Sequence, residues 1–405
     1  MWVRGIEWTT AHRSIAVSVT QAQGFTAAGV AAGLKSSGAK DVSLVVNTGP
    51  KAASAAVFTT NKFAAAPVIW SRQIRSAGEA RVVVLNSGGA NACTGPAGFA
   101  DTHVTAELVA AGLTARELGE FGAGEVFVCS TGLIGERLDM SALGKGIHLA
   151  IAKLAPTGGA DAADAIMTTD TQRKISESRQ DGYTIGGMAK GAGMLAPGMA
   201  TMLSVITTDA DIDSEFLQQA LEFATSQTFD RLDSDGCMST NDTVILLANA
   251  ASGATPDPRQ FTEALTRVCE DLAHQLMADA EGATKEIHIE VTGASCESDA
   301  VQVGRSVSRS NLFKCAMFGQ DPNWGRILSA VGTTNANFVA DQVDVSINGV
   351  KICIGGGVGE DRSDVDLSQR RVDVLIELHA GAHRAIIRTN DLSIGYVVEN
   401  SEYST

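Results

Sequence analysis

Short runs rich in Val and Ile recur along the chain, each bounded by Gly, Asn or Pro. They are DVSLVVN (41–47), AAVFTT (55–60), APVIWS (66–71), RVVVLNSGG (81–89), EVFVCSTGLIG (125–135), TMLSVITTDA (201–210) and DTVILLANA (242–250). Such runs read as β-strands closed off by turns. Between them lie stretches with apolar residues at every third or fourth position, FADTHVTAELVAAGL (99–113) and SEFLQQALEFATSQTF (214–229), which read as helices. Further helices are expected at 140–154 and 159–167, and a long one after the turn cluster GATPDPRQ (253–260). After Lys285 the texture changes to EIHIEVTG, QVDVSING, VKICIGGG, RVDVLIELHAG and RAIIRTND. The chain is therefore expected to be an α/β (α+β) protein. It divides into an N-terminal extension, 1–18, that fits no pattern, a large unit, 19–282, and a smaller α/β domain, 283–405.

A chain of 405 residues exceeds one ordinary core, which agrees with that division. Only 5% of residues are aromatic, so Ala, Val, Ile and Leu must fill the interior. The net charge of −15 excludes nucleic acid and anionic membranes as general partners, though not small anions held in a local basic pocket. Seven cysteines stand without any C-x-x-C pair, the pattern of reduced thiols in a cytoplasmic protein. The segment MWVRGIEWTTAHRSIAVSV lacks the continuous apolar stretch of a signal peptide.

One junction stands apart. KGAGMLAPGMATMLSVITTDA (190–210) leads a flexible loop into an apolar strand, with Gly193, Pro197, Gly198, Ala200 and Thr201 at the boundary. A threonine hydroxyl is a weak nucleophile unless a base lies beside it, and one such base is the residue's own α-amine. That amine exists only if the preceding peptide bond is cut. Gly198 supplies the flexibility and Ala200 the small side chain that such a cut needs. An α-amine titrates near pH ~7.7–8.0, close to the best value for a general base at neutral pH. Spacing alone also suits an ordinary threonine at a strand entry.

The stretch MAKGAGMLAPGMATMLSVITTDA resembles the self-cleavage site of the glutamate N-acetyltransferase, or ornithine acetyltransferase, family of arginine biosynthesis. Further matching segments are VVLNSGGANACTGPAGFAD (83–101), CSTGLIGERL (129–138), AIMTTDT (165–171), DGCMSTNDTV (235–244), DAEGATK (279–285), DPNWGRILSAVG (321–332) and NSEYST (400–405). The resemblance runs from about Gly24 to Thr405. It implies an αββα sandwich like that of the self-processing aminopeptidases, over 19–282, with the smaller domain behind it. It implies cleavage between Ala200 and Thr201 into chains 1–200 and 201–405, and a heterotetramer of two of each.

The same resemblance makes Thr201 the nucleophile that carries acetyl from N-acetylornithine to glutamate, and Thr131 and Gly132 the oxyanion hole. Thr168, Lys190, Thr201, Glu281, Asn400 and Thr405 become substrate contacts. Carboxylate pairing is the physical role suited to Lys190, and Glu281 suits an ornithine ammonium. A site at the C-terminal end also means that an added tag there should damage activity. No metal or organic cofactor is implied. Members of the family differ over acetyl-CoA as a co-substrate, and no CoA-binding motif stands out. The alternative is a self-processing amidase or aminopeptidase in which water replaces glutamate. Glu286, His288 and Glu290 share one strand face at metal-like spacing but read as a solvated face, GGGVGE (355–360) reads as a turn, and Trp324 and Arg326 read as locking another.

Overall fold

The computed structural model describes residues 18–194 and 202–402. Within these, fifteen strands follow in chain order: β1 (Phe25–Val30), β2 (Val42–Asn47), β3 (Ala53–Phe58), β4 (Val82–Asn86), β5 (Val126–Ser130), β6 (Lys174–Arg179), β7 (Thr184–Lys190), β8 (Leu203–Thr208), β9 (Thr243–Ala248), β10 (Glu286–Ala294), β11 (Asp344–Ile347), β12 (Val350–Ile354), β13 (Gly357–Val358), β14 (Arg371–Glu377) and β15 (His383–Asn390). They form a four-stranded sheet, β1-β2-β4-β5, a five-stranded sheet, β3-β9-β8-β7-β6, and a six-stranded sheet, β13-β12-β11-β14-β10-β15.

β2, β4, β8 and β9 are buried along their whole length. A strand buried on both faces must have a layer on each side. On β9, Ile245 and Leu247 join Leu203 and Val205 of β8 in the core shared with the first sheet. Val244 and Leu246 turn the other way, to Leu217 and Leu221 of the helix Ser214–Gln227 and to Phe261, Leu265 and Leu272 of the helix Pro258–Ala278. The first sheet is backed by Val109 and Leu113 of the helix Gly95–Ala115 and by Leu143 and Ile147 of the helix Met140–Ala152. The layers thus run helix, sheet, sheet, helix. A third core draws only on residues from Ile287 to Ala385, where the alternating burial of β10 sets one sheet face against the helices Glu297–Ser308, Asn311–Phe318 and Trp324–Val331.

Three local readings fail. APVIWS, expected as a strand, opens the helix Ala66–Ala77 instead. Pro67 sits in its first turn, where the missing N–H costs nothing, and Trp70, Ser71 and Ile74 recur on its buried face. A six-residue apolar run has no period of its own, so composition misled there. Strands β6 and β7 carry too few branched residues to be recognised. Gly186 and Gly187 lie in β7, and a Cβ on Gly186 would stand 2.2 Å from the Ser18 carbonyl oxygen. The strand gives up side chains so that the N-terminal segment can cross it closely.

Trp324 and Arg326 open a helix capped by Asn323 rather than lock a turn, and Arg326 Nη1 donates to the Leu312 carbonyl at 2.7 Å.

Candidate active site

The first sheet delivers its β5 end to a groove between the two sheets. Thr131 follows β5 directly: its N–H donates to the Asn86 carbonyl at 3.0 Å and its carbonyl accepts from Gly89 N–H at 3.1 Å. Gly132 comes next with φ +130°, and a Cβ there would stand 2.8 Å from Gly89 N. Only glycine fits this turn on both counts. The Gly132 N–H has no acceptor among the described residues. Asn241, one of the residues before β9, ties the turn to the second sheet. Its Nδ2 donates to the Ala90 carbonyl at 2.6 Å and the Ser130 carbonyl at 2.8 Å.

The second sheet contributes Lys190, the last residue of β7, paired across the ladder with Leu203 of β8. Its side chain is buried, and Nζ donates to Thr131 Oγ1 at 3.2 Å. An ammonium donating to that oxygen leaves the threonine's own hydroxyl proton free for another acceptor. Burial pushes the Lys190 pKa below the ordinary lysine value, against the opposing pull first of Asp170 and then of Asp242 and Glu281.

Asp170 anchors this corner. Its Oδ1 accepts from Lys174 Nζ at 2.5 Å and from Gly191 N–H at 2.7 Å, and its Oδ2 accepts from Thr168 N–H at 2.9 Å. Lys174 is fully buried and also pairs with Asp279 at 2.5 Å, so one ammonium joins the loop before β6 to the end of the helix Pro258–Ala278. Two residues on, Glu281 N–H donates to the Ala192 carbonyl at 3.0 Å. Glu281 Oε1 accepts from Thr169 Oγ1 at 2.8 Å and Oε2 from Asn400 Nδ2 at 3.1 Å. Asn400 belongs to the helix Ile394–Glu402, which returns from the third sheet to this groove.

Thr131, Gly132, Thr168, Lys190, Glu281 and Asn400, marked from five separate stretches of sequence, all line one cavity, with Thr169, Thr240 and Asn241 among them. Ala200, Thr201 and Thr405 lie outside the described residues. The described chain resumes at Met202, whose N–H donates to Asp242 Oδ1 at 3.1 Å. Asp242 is wholly buried, and burial raises its pKa well above the ordinary value despite that hydrogen bond. Sequence reasoning passed over Asp170, Lys174, Asn241, Asp242 and Asp279. Their signal is the placing of acids, an amide and a lysine at the mouths of apolar strands, where a polar side chain must find partners.

Among the described residues the one side-chain group with metal-like spacing is Asp344, Glu377 and His379 on the third sheet. Lys351 Nζ already bridges its two acids at 3.1 and 3.0 Å. No described helix is long and apolar enough to cross a membrane.

The arrangement can hold a small carboxylate on Lys190, a cation on Glu281, and a developing oxyanion on Thr131 and Gly132. Residues 26–405 match the ArgJ family. The chain belongs to the ArgJ family. An arginine biosynthesis bifunctional protein ArgJ from Streptomyces avermitilis is 59% identical over 389 residues, spanning 96% of this chain and 100% of that one. The ArgJ protein of Mycobacterium leprae is 53% identical over 394 residues, spanning 96% of each. Among solved structures, a chain of the ornithine acetyltransferase of Mycobacterium tuberculosis complexed with ornithine is 55% identical, with a TM-score of 0.44, and the match covers 46% of this chain and 97% of that one.

Proposed function

We propose that this ArgJ-family chain is an acetyltransferase of arginine biosynthesis that moves acetyl from N2-acetyl-L-ornithine to L-glutamate through an ester on Thr201. The observation that carries the reading is the convergence of six sequence-marked residues on one cavity, with Met202 tied to Asp242 just before the strand β8 that pairs with β7 at Lys190. The chain cuts itself between Ala200 and Thr201, and the new α-amine becomes the base for the Thr201 hydroxyl.

Thr201 Oγ attacks the acetyl carbonyl as its proton passes to the α-amine. The Thr131 hydroxyl, its oxygen held by Lys190, and the Gly132 N–H receive the oxyanion, each donor contributing about 2.7–4 kcal/mol. The ornithine nitrogen takes the proton back from the α-ammonium and departs. The glutamate amine then attacks the ester, and Thr201 Oγ leaves as a hydroxyl. Lys190 pairs with the substrate carboxylate, Glu281 with the ornithine ammonium, and Thr168, Asn400 and Thr405 complete the contacts. The steps need no metal or organic cofactor. Where acetyl-CoA serves as a co-substrate, it loads the same Thr201.

The two chains stay together and pair into a heterotetramer. Seven free cysteines support a reducing, cytoplasmic setting. Incubation with N-acetylornithine, with and without glutamate, tests the reading. Transfer predicts sustained ornithine release only with glutamate, and N-acetylglutamate in equal amount. Sustained release without glutamate would establish a hydrolase instead.

A further inference from the structure

We infer that Asp170 is a positioning residue for Lys190, supplying the fixed counter-charge that lets a buried ammonium hold the donor's carboxylate. The inference rests on the reading of Lys190 as the carboxylate partner. Lys190 lies in the groove between the sheets with one protein acceptor among the described residues, the Thr131 hydroxyl, so its other protons remain for a ligand. An ammonium in such a place loses its proton unless an acid opposes burial.

The charged groups acting on it come from every side. Asp170 acts from the loop before β6 and Lys174 from the first residue of β6, Asp242 lies at the mouth of β9, Glu281 stands beyond the helix Pro258–Ala278, and Lys35 feels its charge. Lys174 and Lys35 are like charges and cannot help. Burial pushes the Asp242 carboxyl well above its ordinary value, which weakens it as a counter-charge, and its Oδ1 is taken by Met202 N–H. Glu281 carries Thr169 and Asn400 on its two oxygens and faces the ornithine ammonium in the proposed reaction. Asp170 remains. Burial alone would raise its carboxyl pKa, but Lys190, Lys174 and the Gly191 N–H hold it below the usual range.

Both Asp170 oxygens are engaged, by Lys174, Gly191 and Thr168, so it makes no hydrogen bond to Lys190 and acts on it through space. Its bond to Gly191 N–H also fixes the backbone next to Lys190. One residue thereby sets both the place and the charge of the cation. Asp279 is the internal control. It pairs with the same Lys174 but, unlike Asp170, makes no bond to the backbone beside Lys190.

The test is the pH profile of kcat/KM for N-acetylornithine in the self-processed enzyme. Carboxylate binding needs the charged form of Lys190, so the wild-type profile falls at high pH. In Asp170→Asn the midpoint of that fall moves to lower pH, with about tenfold lost at fixed alkaline pH for each unit moved. The loss shrinks as the pH is lowered and Lys190 recharges. Asp279→Asn loses stability but keeps the wild-type midpoint. Asp170→Glu, which keeps the charge, also keeps the midpoint, and it carries the test should the Asn variant fail to fold.

Coincident midpoints for Asp170→Asn and wild type would overturn the assignment. So would an equal displacement in Asp279→Asn, or a displaced midpoint in Asp170→Glu. Lys190→Met with a native KM for N-acetylornithine is a separate outcome that sinks the reading of Lys190 itself.

Discussion

Gly132 shows how much one residue can carry. Its φ of +130° and the 2.8 Å that a Cβ would leave to Gly89 N mean that Gly132→Ala must shift the turn holding the proposed oxyanion donors. Steady-state kinetics should show kcat down about 10²-fold, the loss expected for one such donor, in a folded protein. A native kcat would place the oxyanion elsewhere. Asp242 makes a prediction of opposite character. Its folded pKa is raised above the unfolded value of 3.8, so its contribution to stability is complete below about pH 4 and is lost as pH rises through the folded pKa. Asp242→Asn keeps an acceptor for Met202 N–H and removes the titration. Denaturant unfolding against pH should therefore be flatter for the variant than for the wild type, and parallel curves would show that the acid is ionised in the folded chain. Thr131, Gly132, Lys190 and Glu281 could be singled out in the sequence because each stands in a segment matching a known family. Asp170 stands in a matching segment too, AIMTTDT, but nothing local marks it out, since its importance comes from contacts with residues 4 and 21 positions away.

At the level of elements, the helix Pro258–Ala278 matters for the acids that stand just beyond its last turn, Asp279 and Glu281. Its start is capped by Asp257, whose carboxylate accepts from Gln260 N–H at 3.0 Å, with Pro258 at the first position. Asp257→Ala should cost about 1 kcal/mol in denaturant unfolding and leave kcat/KM unchanged, because the cap lies roughly 30 Å of helix from Asp279. An activity loss larger than the stability loss would show that the helix transmits strain along its length. The helices Gly95–Ala115, Met140–Ala152, Gly159–Ile166, Ser214–Gln227 and Pro258–Ala278 were legible in sequence to within a few residues, and so were the branched strands β2, β4, β8 and β9, but the capped helix Trp324–Val331 was not. What escaped has a physical reason. APVIWS is too short to show a period, and β7 replaces side chains with Gly186 and Gly187 so that other chain segments can come close. Propensity is a weak guide where backbone approach, rather than side-chain packing, decides the element.

The whole molecule brings together what the chain keeps far apart. Residues 131, 168, 190, 281 and 400 meet only because two sheets stack face to face and a final helix returns from the third sheet. The α/β class could be read from alternating strands and helices and the layering only from the family resemblance, while the cavity depends on pairings between distant strands that no single stretch encodes. The central claim is that the chain severs itself and that the freed amine activates Thr201. Denaturing mass measurement of the purified protein, before and after brief exposure to N-acetylornithine without glutamate, tests it most directly. The account predicts two polypeptides, 1–200 and 201–405, the second becoming heavier by one acetyl group, while Thr201→Ala gives one uncleaved and inactive chain. A single 42.0 kDa polypeptide that nonetheless transfers acetyl from N-acetylornithine to glutamate would contradict it.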